Sequence, residues 1–134
     1  MSQSTIVETD YATLWYHPEK KIVHHKFKRF IYGPEFRTIL DRGLEIMSQN
    51  SAQKWLSDDR ENSTLTAEDG QWAQTDWSPR VIKAGWKFWA IVMPEKVIGQ
   101  INMKRFAKDY SDRGVTVQFF SDPDEALKWL ESQN

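Results

Sequence analysis

The sequence contains no cysteine, so the chain can form no disulfide bond, no thiolate metal site and no cysteine nucleophile. It also lacks an excess of charge of either sign, because 18 lysines and arginines stand against 19 aspartates and glutamates. The formal net charge is −1. Proteins that bind the phosphate backbone of nucleic acids usually carry a basic surplus. The charge balance therefore argues against a nucleic-acid partner.

Long apolar runs are missing as well. No segment approaches the roughly 18 consecutive apolar residues of a membrane span, and residues 1–10 lack the basic start and apolar run of a signal peptide. We therefore expect a cytoplasmic protein without an integral membrane segment. A chain of 134 residues with 40% hydrophobic content has the size and composition of one domain.

The second half of the chain predicts the fold class. Residues 88–93 form an unbroken apolar strand, which is typical of a parallel strand covered by helices on both faces. A helical pattern over residues 98–113, another strand over residues 115–120 and a helix capped by Asp122 follow it. This order predicts a βαβα unit.

The first half of the chain supplies the remaining strands. Residues 11–16 and 21–29 have the pattern of a β-hairpin, whose second strand we expect near the sheet edge. A helix with one apolar stripe then opens at Gly33, a short strand covers residues 53–57, and a second helix begins at Thr66. These elements precede the βαβα unit without a linker.

Together the elements predict an α/β protein with a single open mixed β-sheet of about five strands and four helices, in the order ββαβαβαβα. The predicted domain covers residues 11–131. Residues 1–10 precede it as an N-terminal segment, and residues 132–134 follow it as a C-terminal tail.

Several short motifs occur along this order, namely Gly33-Pro34-Glu35-Phe36-Arg37, Lys54-Trp55-Leu56-Ser57-Asp58, Trp77-Ser78-Pro79-Arg80, Phe119-Phe120-Ser121-Asp122 and Glu125-Ala126-Leu127-Lys128-Trp129-Leu130. With them the chain resembles the STAS superfamily, the fold of bacterial anti-sigma-factor antagonists, and more closely its sporulation-type antagonist-like branch. The resemblance covers residues 11–131. That branch is also likened to CRAL-TRIO domains, which hold an apolar ligand in an α/β pocket.

The resemblance also directs attention to the loop after the third predicted strand. In phosphorylation-switched members of the superfamily, a turn of the type Asp-Ser-Ser-Gly presents a serine there to a partner kinase. The equivalent loop here, residues 58–66, holds Ser63 among acidic residues and has no glycine after it. The resemblance therefore implies the fold and does not imply a kinase-switched role.

Partners and ligands of open α/β sheets usually meet the carboxyl ends of the parallel strands. We expect these ends to form one row, called here the carboxyl edge. Two interpretations stay open for it: an interaction or phosphorylation surface that includes Ser63, and loops that are simply solvated. The row comprises Asp58-Asp59-Arg60, Pro94-Glu95-Lys96 and Ser121-Asp122.

Neither a metal site nor a catalytic site is predicted. His24 and His25 point to opposite faces of one strand and His17 lies in a turn, so the three imidazoles do not converge. Asp58 and Glu95 offer carboxylates for acid or base catalysis, but any chain with 19 acidic residues offers such pairs. We expect no metal and no cofactor.

Seven tryptophans are present, and four of them lie within residues 72–89. Core filling is their default use. Trp72 and Trp77 are, however, roughly 140° apart around an α-helix, so they cannot both centre on the core. Because Pro79 should bend the helix next to Trp77, we predict that Trp77 is exposed or faces a site and that Trp72 is the buried anchor.

Three function classes follow from these patterns. The leading hypothesis is a non-enzymatic regulatory or scaffolding domain that binds a protein partner through the carboxyl edge and the second helix. The alternative is a binder of a small apolar or lipid-like ligand, held between the sheet and the aromatic second helix. A small hydrolase or transferase is the least favoured class, and self-association into a homodimer stays open.

Overall fold

The computed structural model describes residues 3–62 and 64–133. The structure is α/β with one mixed sheet, as predicted, and its described residues form six strands and four helices rather than about five strands and four helices. The strands are β1 (Ser4–Glu8), β2 (Ala12–His17), β3 (Ile22–Phe27), β4 (Lys54–Asp58), β5 (Phe88–Val92) and β6 (Thr116–Phe120). The helices are α1 (Gly33–Asn50), α2 (consecutive parts Ala67–Trp72, Ala73–Trp77 and Ser78–Lys83), α3 (Val97–Asp112) and α4 (Pro123–Glu131).

The strands lie in the sheet in their order along the chain, from β1 to β6. The pairs from β1 to β3 are antiparallel, and the pairs from β3 to β6 are parallel. Each parallel connection advances by one strand in the same direction, and such crossovers are nearly always right-handed. The connecting helices α1, α2 and α3 therefore share one face of the sheet, and α4 covers the other.

Alternation along the strands divides the buried side chains into two cores. On β4, Trp55 points into the larger core beneath α1, α2 and α3, whereas Leu56 points into the smaller core beneath α4. On β5, Ile91 and Val92 divide between the same two cores. Because both faces of these strands are covered, β5 has the unbroken apolar run that predicts a parallel strand.

The sheet differs from the prediction at two strands. β1 adds a strand within residues 1–10, and none of its side chains is fully buried, so the sequence there carries no apolar alternation that would predict it. β3 is not near the edge, because it pairs with β2 on one side and with β4 on the other. The face of β3 that holds Ile22 is covered, because Ile22 is buried in the core beneath α4.

The predicted helix starts are confirmed. The side chain of Thr66 accepts a hydrogen bond from the backbone N–H of Asp69, as an N-cap residue does. The carboxylate of Asp122 accepts the backbone N–H of Glu125 in the same way at the start of α4. The backbone N–H of Gly33, where α1 opens, donates to Oδ2 of Asp69 at 2.8 Å, so the first turns of α1 and α2 are joined.

α2 is irregular at its centre, where Ala73–Trp77 form a π-helical turn. This irregularity directly precedes the Ser78-Pro79 step at which the sequence predicts a bend. A π-helical turn holds an additional residue, so it brings Trp77 nearer to the face of Trp72 than the roughly 140° of a regular α-helix. The backbone carbonyl of Ala73, the first residue of the turn, accepts a hydrogen bond from the hydroxyl of Tyr110 at 3.0 Å, which links α2 to α3.

Candidate functional site

A cavity of about 510 Å³ lies between the sheet and the helices α1, α2 and α3. Residues of β3, β4 and β5 form its floor, and the helices and the loop after β4 form its walls. Its volume falls within the roughly 300–1,000 Å³ of small-molecule sites in proteins. The exposed residues among its lining mark its mouth and are Thr64, Ala67, Gln71 and Arg105.

Four tryptophans form much of the cavity lining: Trp55, Trp77, Trp86 and Trp89. All four are buried, and they pack as one cluster, with ring centroids 5.4 Å apart for Trp55 and Trp77 and 4.9 Å apart for Trp86 and Trp89. Each of their indole N–H groups donates to another group of the protein. The wall therefore offers a ligand the faces of aromatic rings and no free indole donor.

The polar part of the floor consists of His25 on β3, Trp55 on β4 and Asp59 directly after β4. The indole N–H of Trp55 donates to Nδ1 of His25 at 3.0 Å, and Nε2 of His25 lies 3.1 Å from Oδ1 of Asp59. Because an indole can only donate, Nδ1 accepts this bond and carries no proton. The proton of the neutral imidazole is therefore on Nε2, which donates to the carboxyl group of Asp59.

Asp59 is a buried acid, with 3% of its surface exposed. Burial raises its pKa above the ordinary value of 3.8, its hydrogen bond to His25 works against that rise, and the charge of Asp58 adds to it. The backbone N–H of Asp59 donates to the carbonyl of Val92 at 3.0 Å, which fixes the residue at the end of β5. Within residues 3–62 and 64–133, no lysine or arginine forms an ion pair with this carboxyl group.

Asn62 lines the cavity from the loop after β4. It is 5% exposed, and its Oδ1 has no hydrogen-bond partner among the described residues. The backbone N–H of Asn62 donates to the carbonyl of Asp59 at 3.1 Å, so a tight turn joins the two residues. A buried acceptor without a donor costs about 1–3 kcal/mol. The oxygen of Asn62 is therefore a position where a hydrogen-bond donor of a ligand would be favourable.

Ser57 also lines the cavity, but the geometry does not make it a nucleophile. Its Oγ accepts the indole N–H of Trp89 at 2.8 Å. Both ring nitrogens of His25 are already engaged, by Trp55 and by Asp59, so neither offers a lone pair for the hydroxyl proton of Ser57. The geometry therefore pairs no base with the hydroxyl of Ser57.

The predicted carboxyl edge is present, because β4, β5 and β6 end in register. Its two aspartates, however, point to opposite faces of the sheet. Asp58 accepts two hydrogen bonds from the Arg60 side chain, at 2.9 and 2.7 Å. Its charge works to raise the pKa of His24, which lies on the face of α4. Asp59 alone reaches the cavity, beside His25. The two carboxyl groups therefore do not form a catalytic pair.

Of the other predicted site residues that the structure describes, all but one lie outside the cavity lining. Glu95 and Lys96 are exposed in the loop before α3. The pKa of Arg60 is raised, first by its hydrogen bond to Asp58 and further by the charge of Glu95, so Arg60 and Glu95 share one surface. Ser63 lies outside the described residues. A partner-binding role for this surface stays a prediction.

The exception is Trp77, which we predicted to be exposed or to face a site: the exposure is wrong, but the side chain lines the cavity. Trp77 is 3% exposed, lines the cavity from within the aromatic cluster, and donates its indole N–H to the carbonyl of Leu40 at 3.0 Å. Trp72 is the partly exposed residue of the two, with its ring against Phe36 and beneath the guanidinium of Arg37. The π-helical turn is the physical reason, because it rotates Trp77 into the core.

Two polar residues of the cavity lining were missed by the sequence analysis. His25 was weighed only as a metal ligand, although strand alternation places it on the same face as Val23 and Phe27. A histidine on the apolar face of a strand was the available signal. Asn62 gave no signal, because its burial depends on the turn that it forms with Asp59.

The remaining histidines form a pair on the opposite face of the sheet. Nε2 of His17 lies 3.0 Å from Nδ1 of His24, and their rings stack with centroids 5.3 Å apart. Burial lowers the pKa of His24 to about 3, and burial also lowers that of His17. In the described part of the chain, no group of three or more histidine, aspartate or glutamate side chains is arranged to hold a metal ion.

Comparison with known proteins does not assign this site. The chain matches no protein-family model, and no curated protein and no solved structure matches it. None of the helices in residues 3–62 and 64–133 has a stretch long and apolar enough to cross a lipid bilayer. The cavity itself is therefore the basis for a proposed function.

Proposed function

We propose that this protein binds a small organic ligand, largely aromatic or apolar, in the cavity between the sheet and helices α1 to α3. The observation that carries the proposal is a cavity of about 510 Å³ with tryptophan walls and a small polar group on its floor. Mostly apolar walls with a few placed polar groups are the usual composition of a ligand site. This is the alternative of the sequence analysis, and it is favoured over catalysis because His25 and Ser57 form no nucleophile and base pair.

Blocking the cavity tests this proposal. Gly70 lines the cavity on α2, and an added Cβ there meets no atom within 4 Å, so Gly70→Phe places a ring in open space without a backbone clash. Glu68→Phe, on the exposed surface of the same helix, is the matched control. A panel of apolar and aromatic compounds is screened by thermal shift, and hits are titrated by tryptophan fluorescence.

We expect compounds that raise the melting temperature of the wild-type protein and of Glu68→Phe, and that bind Gly70→Phe at least about tenfold more weakly. Hits that bind all three proteins equally would place the ligand elsewhere. A panel without a single hit, together with native mass spectra that show no adduct on gently purified protein, would leave the proposal without support.

A protein partner on the carboxyl edge is the second candidate function, and one observation favours it. The exposed large apolar side chains of the described residues lie in the segments that follow β3 and β5, at the end of the sheet where the carboxyl edge is located, and their exposed fractions are 46–69%. Exposed apolar residues that cluster at one end often mark an interaction surface. They are Phe30, Tyr32, Val97, Ile98 and Ile101.

A pull-down that compares the wild-type protein with an Ile98→Asp, Ile101→Asp double variant tests this second function. A specific partner should be retained by the wild-type protein and lost by the variant. Light scattering over a concentration series separates a foreign partner from a second copy of the chain. The resemblance to the STAS superfamily stays a prediction, and either function is compatible with it.

A further inference from the structure

We infer that the ligand of this cavity carries a hydrogen-bond donor, best a protonated amine, that pairs with Oδ1 of Asn62 and the carboxylate of Asp59. This inference rests on the proposed function, because it names the chemical class that the same cavity would accept. Its basis is the hydrogen-bonding state of the polar groups on the floor.

The amide oxygen of Asn62 is the first of two groups that favour a donor on the ligand. Asn62 lines the cavity, and its Oδ1 is buried and has no donor among the described residues. The indole N–H groups of the wall are all used within the protein, so the wall offers this oxygen no donor. A ligand N–H or O–H would satisfy it, whereas a ligand with acceptors alone would leave two lone-pair groups facing each other.

The carboxyl group of Asp59 is the second group that favours a donor on the ligand. His25 donates one hydrogen bond to Oδ1 of Asp59, and a carboxylate has acceptor sites for more than one donor. The Arg60 side chain pairs with Asp58 on the opposite face, so it does not neutralise Asp59. In its ionised form Asp59 is a buried negative charge, and a positively charged ligand group would compensate it.

The aromatic walls favour the same class of ligand. An organic cation is attracted to the faces of tryptophan rings, and the combination of aromatic rings with a carboxylate is a common way to recognise ammonium groups. Among the described residues of the lining, Arg105 is the one lysine or arginine, and it lies exposed at the mouth. The floor therefore selects for a donor or a cation, whereas a carboxylate of a ligand could only be favoured at the mouth.

Four probes of one skeleton separate these cases: naphthylmethylamine, naphthylmethanol, methylnaphthalene and naphthoic acid. Binding to the full chain is measured by fluorescence titration or calorimetry. We expect the amine to bind most tightly, the alcohol next and the hydrocarbon more weakly, with the acid weakest. A separation of about tenfold between amine and hydrocarbon is the expected size for one charge-assisted hydrogen bond.

Two variants assign the preference to its residues. Asp59→Asn keeps an acceptor for His25 but removes the charge, so it should lower the affinity for the amine about tenfold and leave that for the hydrocarbon unchanged. Asn62→Leu removes the unpartnered oxygen, so it should weaken the amine and the alcohol and strengthen the hydrocarbon. Circular dichroism of each variant verifies that it is folded.

The outcomes distinguish this inference from the proposed function. Equal affinity for amine and hydrocarbon, or tightest binding of the acid, would overturn the donor class while leaving a ligand in the cavity. If none of the four probes binds and the broad compound panel also fails, the proposed function fails with it.

Discussion

The indole N–H of Trp55 donates to Nδ1 of His25 at 3.0 Å, and this bond determines which nitrogen of the imidazole carries the proton. With Nδ1 occupied as an acceptor, Nε2 holds the proton and donates to Asp59. Three residues from two neighbouring parallel strands and the loop after them thus form one chain of hydrogen bonds. The cavity floor is polar at this point and apolar around it.

The tautomer of His25 is directly measurable. Nitrogen-15 and carbon-13 chemical shifts of the ring should show a single form protonated at Nε2. Replacing Trp55 by phenylalanine keeps a ring but removes the donor, so the tautomer should no longer be fixed and the protein should lose on the order of 2 kcal/mol of stability. A wild-type imidazole protonated at Nδ1 would contradict the assigned hydrogen bonds.

The two tryptophans of α2 should differ in their contribution to stability. Trp77 is buried in the aromatic cluster and donates to the carbonyl of Leu40, so Trp77→Ala should cost about 3–5 kcal/mol. Trp72 is partly exposed, so Trp72→Ala should cost less, on the order of 1–2 kcal/mol. Urea denaturation of the two variants measures the difference, and a larger loss at Trp72 would contradict the structure.

Gly43 on α1 faces the indole of Trp55, and an added Cβ would lie 2.8 Å from Cζ2 of that ring and closer still to Cη2. Gly43→Ala should therefore destabilise the protein by about 1–3 kcal/mol through overpacking, although alanine is the better helix former. Gly70→Ala, where the added Cβ meets no atom within 4 Å, is the matched control and should be neutral or stabilising. Equal stability of the two variants in thermal or urea melts would contradict the close contact.

The histidine pair on the opposite face predicts an acid-sensitive fold. Burial is the main cause that lowers the pKa of His24 from an ordinary 6.5 to about 3; the nearby His17, His25 and Lys26 contribute to this shift and Asp58 opposes it. Between these two pH values His24 binds a proton in the unfolded chain but stays neutral in the folded chain. The free energy of unfolding therefore falls as the pH drops from about 6.5 toward 3. The raised pKa of Asp59 has the opposite sign and offsets part of this loss.

A variant isolates the contribution of His24. His24→Phe keeps an aromatic ring beside Trp15 but cannot be protonated. Between about pH 7 and about pH 4, its free energy of unfolding should fall less than that of the wild-type protein, by on the order of 2–3 kcal/mol. Urea melts at the two pH values measure this, and identical losses would show that His24 is not held neutral by the fold.

Much of the fold could be predicted because its signals are local. The cap residues Thr66 and Asp122 and the apolar run of β5 mark their elements within a few residues of sequence. β1 could not be predicted, because a largely exposed edge strand has no apolar alternation. The interior position of β3 depends on pairing with β4, which the chain reaches only after α1.

The site was predicted less well because its geometry is not local. Asp59 was named, but as part of an exposed row together with Asp58, although the two side chains point to opposite faces of the sheet. Trp77 was named, but its burial depends on a π-helical turn that no residue pattern announces. The hydrogen bonds of His25 join it to Trp55 and Asp59, which lie 30 and 34 positions away in the chain.

The most direct test of a ligand in the cavity is to follow the seven tryptophan indole N–H signals in a nitrogen-15 correlation spectrum during titration with naphthylmethylamine. Trp55, Trp77, Trp86 and Trp89 line the cavity, whereas Trp15 and Trp129 lie on other parts of the sheet and on α4. A ligand in the cavity should shift the four lining signals in a saturable way and leave those of Trp15 and Trp129 in place. Unchanged lining signals, or shifts centred on Trp15 or Trp129, would contradict the proposed site.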